Sequence, residues 1–307
     1  MSVVPGSLTR LLPPAAAAMT GILVGAAIVA TRSVVDQAGP ASLALLRYLI
    51  GFCCLAPPLL LSRRMRFARR DLLPIGLLGI GQFGVLVVLL NWSLQVIPSA
   101  RGALLFATMP LLTLLLATAF RQESISLTKI FGVLLTIVGV GLALAEKVAQ
   151  AGGAANTWLG ELAALGSALV GAVCSVLYRP YLRRYPTLQV SALAMLAAVA
   201  FLAVLAGGEG FLTSPPHFAL GGWLAIAFIG VSSGVGYFLW LWALGHTTPT
   251  RVTVFLALSP ITAAMLGALL LAEAASAMSL VGLACVTLGL WLAHQSQNRQ
   301  PEARRLH

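Results

Sequence analysis

Residues 91 to 143 recur at residues 241 to 293, 150 positions later and without a gap. Trp92 pairs with Trp242, Arg101 with Arg251, Pro110 with Pro260, Glu123 with Glu273, Gly132 with Gly282 and Gly139 with Gly289. Chance matches in apolar sequence fall at Leu and Ala, not at Trp, Arg, Pro and Glu in one register. The chain therefore reads as two copies of one unit. A duplicated apolar unit is the mark of transporter folds, with the substrate site where the copies meet.

The solvent of this unit is lipid. The chain is 59% hydrophobic and 9% charged, with a mean hydropathy of +0.97. A soluble domain carries about 25% charged residues. Crossing the hydrocarbon of a bilayer takes about 20 apolar residues. Ten segments of that kind are read at 14–34, 41–61, 72–94, 99–120, 127–145, 158–178, 188–206, 219–244, 250–271 and 277–294. They are continuous runs without period-two alternation, so the expected fold is an all-α membrane protein with ten transmembrane helices. The seam at 150–156, with Gly152 and Gly153, separates one five-helix repeat at 15–145 from a second at 157–293. Five is odd, so the second copy enters the membrane upside down and the repeats are inverted.

Charge fixes the orientation. With the N-terminus cytoplasmic, fifteen of the nineteen Lys and Arg residues fall on the cytoplasmic side. Arg32, Arg101 and Lys147 fall outside, and Arg47 lies within a span. This asymmetry obeys the positive-inside rule, so both termini are expected in the cytoplasm. The formal net charge of +11 is then a property of topology and anionic lipid, and no nucleic-acid partner is implied. Arg10 followed by Ala15–Ala18 has some character of a signal peptide, but Pro13 and Pro14 break its short apolar part. The segment reads as the entry to an uncleaved first helix. Cys53, Cys54, Cys174 and Cys285 sit in apolar runs without metal-ligand spacing, so no metal or cofactor is expected.

Pro110 and Pro260 fall near the middle of the fourth and ninth segments. Each removes a donor and frees a carbonyl four residues earlier, at Phe106 and Leu256. Two readings stand: a kink that shapes a midplane cavity, or a kink that serves packing. Polar and aromatic residues at helical spacing are the candidates for lining such a cavity. They are Gln82, Asn91 and Trp92 in the third segment, Thr108 before Pro110, Tyr178 in the sixth, and Ser233, Tyr237 and Trp240 in the eighth. Against each stands a structural role, as interfacial anchor for Trp and Tyr or as a hydroxyl bonded to its own helix. Gln82 departs furthest from that role, because a deep amide needs several partners. Arg47 lies about 9 Å from the outer end of its helix at 1.5 Å per residue. It is close enough to snorkel outward, and it has the chemistry to bind a substrate carboxylate. No Asp or Glu lies at mid-span, which argues against a proton relay. The run Gly230-Val231-Ser232-Ser233-Gly234 matches the GxSxG motif of serine hydrolases, but that motif works on a strand-turn-helix elbow, not inside an apolar helix.

The combined pattern resembles the EamA-type drug/metabolite transporters. The resemblance rests on Pro110, Glu123, Gly132 and Gly139, repeated as Pro260, Glu273, Gly282 and Gly289. It rests also on the opening of each half, including AGPASLALLRYLI with Arg47, and covers residues 15 to 293. It implies an inner-membrane carrier, often an exporter of amino acids or other small metabolites. It implies a central cavity lined by the first, third, fourth, sixth, eighth and ninth helices. The expected protein is thus a secondary transporter, not an enzyme, working by alternating access as a monomer or homodimer. The alternatives are a membrane-embedded enzyme with Ser232 or Ser233 as nucleophile, and a lipid-translocating protein.

Overall fold

The computed structural model describes residues 7–32, 34, 37–62, 67–96, 105–106, 108–123, 126–150, 158–213, 216–259, 261–262, 265–266 and 277–295. All regular structure among them is helical. The elements are α1 (Ser7–Arg32), α2 (Pro40–Leu61), α3 (Arg69–Gly79), α4 (Leu86–Val96), α5 (Met109–Ala119), α6 (Leu127–Gln150), α7 (Trp158–Leu182), α8 (Thr187–Gly208), α9 (Leu220–His246), α10 (Pro249–Val254) and α11 (Ala277–Gln295). A π-helical stretch, Ile80–Val85, fuses α3 to α4, and a 3-10 turn, Phe255–Ala257, follows α10.

Six helices are long and apolar enough to cross a membrane: Leu11–Thr31, Pro40–Leu61, Arg69–Ser93, Trp158–Leu182, Thr187–Gly208 and Leu220–His246. They fall on six of the ten segments expected from the sequence. Only 33–56% of each apolar window is buried inside the protein. The remainder, with side chains such as Leu73, Val204 and Leu224 exposed, is the surface that lipid covers. The shorter helix Met109–Ala119 and the apolar part of α6, Leu127–Leu142, belong to the fourth and fifth segments.

The helices start and stop for local reasons. Pro40 opens α2 in its first turn, where a missing N–H costs nothing. The carboxylate of Glu209 then accepts the N–H groups of Ala41 at 2.9 Å and Ser42 at 2.8 Å, which have no acceptor within the helix, and the Ser42 hydroxyl at 2.8 Å. After α5 the chain turns through Arg121 with φ 54°, the left-handed conformation that Gly usually supplies. The Gln122 N–H returns to the Ala117 carbonyl at 2.8 Å to close that turn.

The fourth segment is interrupted just before its proline: Leu105 and Phe106 are helical, Thr108 is in a turn, and α5 begins at Met109, so Pro110 occupies the first turn of α5. Proline is tolerated there because its position needs no intrahelical donor. In the ninth segment α10 gives way to the 3-10 turn at Phe255–Ala257. Leu256, in that turn, is the residue whose i+4 donor would be Pro260; Pro260 itself lies outside the described residues.

Packing runs between the two halves of the chain. α1 lies on α9 and on the 3-10 turn, and α2 on α8 and α9. α3 lies on α8, α4 on α7, α5 on α7 and α10, and α6 on α11. Small residues set the closest approaches. A Cβ on Gly21 or Gly25 of α1 would collide with the backbone carbonyl of Phe255 or Ser259. On α6 and α11 the duplicated glycines meet one another: a Cβ on Gly139 would stand 2.7 Å from the Gly282 carbonyl, and one on Gly289 2.6 Å from that of Gly132.

Candidate functional site

The site is built around the middle of α9, where α2 crosses it. A Cβ on Gly234 would stand 2.7 Å from the Gly51 carbonyl, so two glycines let the backbones touch. One turn away on α2, Arg47 faces Ser233. The Arg47 Nε donates to the Ser233 Oγ at 2.5 Å, and that hydroxyl donates to the Ile229 carbonyl at 2.6 Å. Ser233 stands thirteen residues from each end of α9, so the guanidinium is drawn to mid-helix. The outward snorkelling open to Arg47 from its sequence position is not what the structure holds.

A chain of rings continues from there. Tyr48 meets Phe83 with ring centroids 4.8 Å apart, and Phe83 meets Tyr237 edge-on at 3.9 Å. Tyr237 meets Tyr178 at 6.5 Å. These four side chains, with Trp240 and Met109, belong to one buried cluster. It draws on α2, the π stretch, α5, α7 and α9, and therefore on both halves of the chain.

Several polar atoms in this region are buried without a partner among the described residues: the Gln82 Oε1, the Trp240 Nε1, and the Tyr178 and Tyr237 hydroxyls. The two hydroxyls lie close enough to interact, yet neither makes a hydrogen bond of good geometry. A buried polar group without a partner costs about 1–3 kcal/mol. The Gln82 oxygen and the Trp240 N–H, beside two hydroxyls that have only each other, are groups that a ligand or water could satisfy. Gln82 adds a second signal, because it lies in the π stretch, where Leu86 N–H bonds back to the Gly81 carbonyl. Such wide turns recur at functional sites.

Other candidates stand elsewhere or are already engaged. Asn91 donates from Nδ2 to the Pro40 carbonyl at 3.4 Å and so links α4 to the start of α2. Trp92 is 41% exposed, outside the cluster. Thr108 donates to the Leu105 carbonyl at 2.6 Å, the local bond that competes for any threonine hydroxyl. Tyr48 and Phe83 are cluster members that sequence reasoning passed over. Their signal was adjacency to Arg47 and Gln82.

Polar ties hold the end of the bundle where α2 meets α3 and α7 meets α8. Asp71 accepts the Tyr185 hydroxyl at 2.6 Å and the Arg184 Nη1 at 3.1 Å. Glu123 accepts the Thr250 N–H at 3.0 Å and the Lys129 ammonium at 2.9 Å, with both charges buried. Arg179 donates to the Gln122 carbonyl at 3.2 Å. No group of three or more His, Cys, Asp or Glu residues able to hold a metal occurs among the described residues.

Apolar helices with lipid-exposed flanks, joined across two halves over a polar-aromatic centre, define a multi-pass membrane protein of the transporter class. The sequence profile described as the EamA-like transporter family matches twice, over residues 14–145 and 158–294, and the chain belongs to that family. It is 31% identical over 282 residues to the protein named "Probable terminal-alkyne amino-acid exporter" of Streptantibioticus cattleyicolor, covering 90% of this chain and 91% of that one. It is 26% identical over 280 residues to an uncharacterized transporter of Archaeoglobus fulgidus, covering 90% and 96%. A crystal structure superposes with a TM-score of 0.77 at 23% identity, covering 91% of this chain and 96% of that chain, which speaks for the fold. The protein is a transporter and not an enzyme. Ser233 accordingly bonds to Arg47 and Ile229.

Proposed function

We propose that the protein is a secondary transporter that exports small metabolites such as amino acids across the inner membrane by alternating access. The observation that carries the substrate class is the 31% identity, over 90% of the chain, to a protein named as an amino-acid exporter. The architecture proposed is ten helices in two inverted five-helix repeats, at 15–145 and 157–293.

The pattern of helix pairing supports that architecture. Exchange each element for its counterpart in the other half: α1 for α7, α2 for α8, α3 and α4 for α9, α5 for α10 with its 3-10 turn, α6 for α11. The pairing of α1 with α9 becomes that of α7 with α4, and α2 with α9 becomes α8 with α3. The pairings α2 with α8, α5 with α10 and α6 with α11 become themselves. Two-fold related halves around one site are what alternating access uses. The distribution of Lys and Arg supports cytoplasmic termini.

Gln82, Tyr178, Ser233, Tyr237 and Trp240 form the centre of the proposed site. Asn91, Trp92 and Thr108, which stand outside that cluster or are engaged elsewhere, are proposed only as residues along the path to it, with Pro110 at the start of α5. The test is uptake and efflux of radiolabelled amino acids in proteoliposomes carrying the purified chain. Saturable flux of one amino-acid class, absent from empty vesicles, is the expected result. No flux of any amino acid, beside a carrier that works in the same vesicles, would remove that substrate class.

A further inference from the structure

We propose that Arg47, oriented by Ser233, is the anchor for the carboxylate of the transported substrate. The inference rests on the transporter reading above and gives that site its chemical selectivity.

A charge within a membrane-spanning helix is costly and keeps its place only with a partner or a task. Arg47 has no carboxylate partner among the described residues. Their ion pairs join Asp71 to Arg70 and Arg184, and Glu123 to Lys129. Its contacts are the Ser233 hydroxyl at Nε and the Tyr48 ring, whose centroid is 5.4 Å from the guanidinium carbon. The two terminal amino groups make no hydrogen bond to any described residue. A guanidinium carries five N–H donors in a planar fork. With Nε spent on Ser233, the end-on pair of amino groups is left, and two parallel N–H bonds from that edge match the two oxygens of a carboxylate.

The surroundings say which anion. Ser233 stands at mid-helix in the 27-residue α9, roughly 20 Å from either end at 1.5 Å per residue. A lipid phosphate stays at headgroup depth, whereas a small solute in transit passes the midplane. Ser233 cannot release the guanidinium to swing outward without losing its bond, because its own proton is committed to Ile229. Beside the fork, Tyr48 leads to Phe83, Tyr237 and Tyr178, an apolar wall with polar tips suited to a side chain. The unpaired Gln82 Oε1, next in sequence to Phe83, supplies an acceptor that suits an ammonium group. A small amphipathic molecule with one carboxylate has the chemistry that these groups call for.

The experiment is equilibrium binding of radiolabelled L-leucine, L-methionine and L-phenylalanine to the purified full chain. Each is competed by the unlabelled acid and by its carboxamide, which keeps the side chain and ammonium but lacks the carboxylate. Wild type is expected to favour acid over amide by about tenfold or more, as a site built to pair a half-buried charge does. Arg47→Gln should lower acid affinity and leave amide affinity, bringing the ratio near one; Arg47→Lys should retain part of it. A purely structural role for Arg47 would lower both ligands together. An unchanged acid-to-amide ratio in Arg47→Gln overturns the anchor and leaves the transporter reading intact. Should Arg47→Gln fail to fold, Ser233→Ala, which keeps the charge and frees Nε, should still reduce the ratio several-fold; no reduction there counts against the proposal. If wild type binds none of the acids, the amino-acid reading falls and this proposal with it, while membership of the family stands.

Discussion

At the scale of the residue, the buried charges are held by short contacts whose removal has calculable consequences. Glu123 and Lys129 pair at 2.9 Å with both side chains almost wholly buried. Lys129→Met removes the cation in direct contact with the carboxylate, leaving Arg179 and Arg251 near it, and should destabilise the protein by up to about 3 kcal/mol, the usual cost of breaking a buried pair from one side. Adding Glu123→Gln should recover part of that loss, since a neutral amide needs no counter-charge; unfolding of the purified variants in detergent measures both. Glu209 is a cap supplied by a distant segment, with three bonds to the start of α2. Glu209→Ala should cost about 1–2 kcal/mol in the same assay, as lost caps do. Helical spacing alone put Ser233, Tyr237 and Trp240 on one face, and the structure gathers Tyr178, Tyr237 and Trp240 into one cluster. The bond between Arg47 and Ser233 was not legible, because 186 residues separate the two and only the helix crossing joins them.

At the scale of the element, glycine contacts decide which helices meet. Gly51 and Gly234 let α2 and α9 touch, and that crossing carries Arg47 to Ser233. Gly234→Leu forces a side chain against the Gly51 backbone, so the two helices must part. Substrate binding should fall far more than in Gly221→Leu, on the same helix, where a Cβ meets nothing within 4 Å. Equal binding by the two variants would show that the crossing does not set the site. The small-residue motifs of α1 and α9 were visible in the sequence, but their partners were not, since spacing names a face and never what lies on it. The break before Pro110 was legible only in part. An apolar run of span length does not state whether its backbone is continuous, and the structure starts α5 one residue before that proline.

At the scale of the whole molecule, every principal pairing named above joins the first half of the chain to the second. The duplication and the six long apolar helices were plain in the sequence, because repeats and hydropathy are properties of composition along the chain. The ties at the bundle end were only half legible: Glu123 recurs as Glu273, but no spacing names Lys129 and Thr250 as its partners, or Arg184 and Tyr185 as those of Asp71. Those ties make the last prediction. Asp71 belongs to the first half, and Arg184 and Tyr185 to the second; their bonds, with that of Glu123 to Thr250, close the bundle at the end rich in Arg. Rocking of the halves must part them once per cycle if the site opens to that side. Asp71→Cys with Tyr185→Cys, in a chain whose Cys53, Cys54, Cys174 and Cys285 are replaced by alanine, places two thiols on either side of this contact, separated by the space the Tyr185 ring occupied. Joining them with a short, cleavable bifunctional reagent should stop transport in proteoliposomes, and cleaving the link should restore it. The single-cysteine variants, treated alike, should keep their rate. Full transport by the linked protein would mean that the halves do not separate at this end, and the rocking would have to be sought at the other, where Glu209 holds α2.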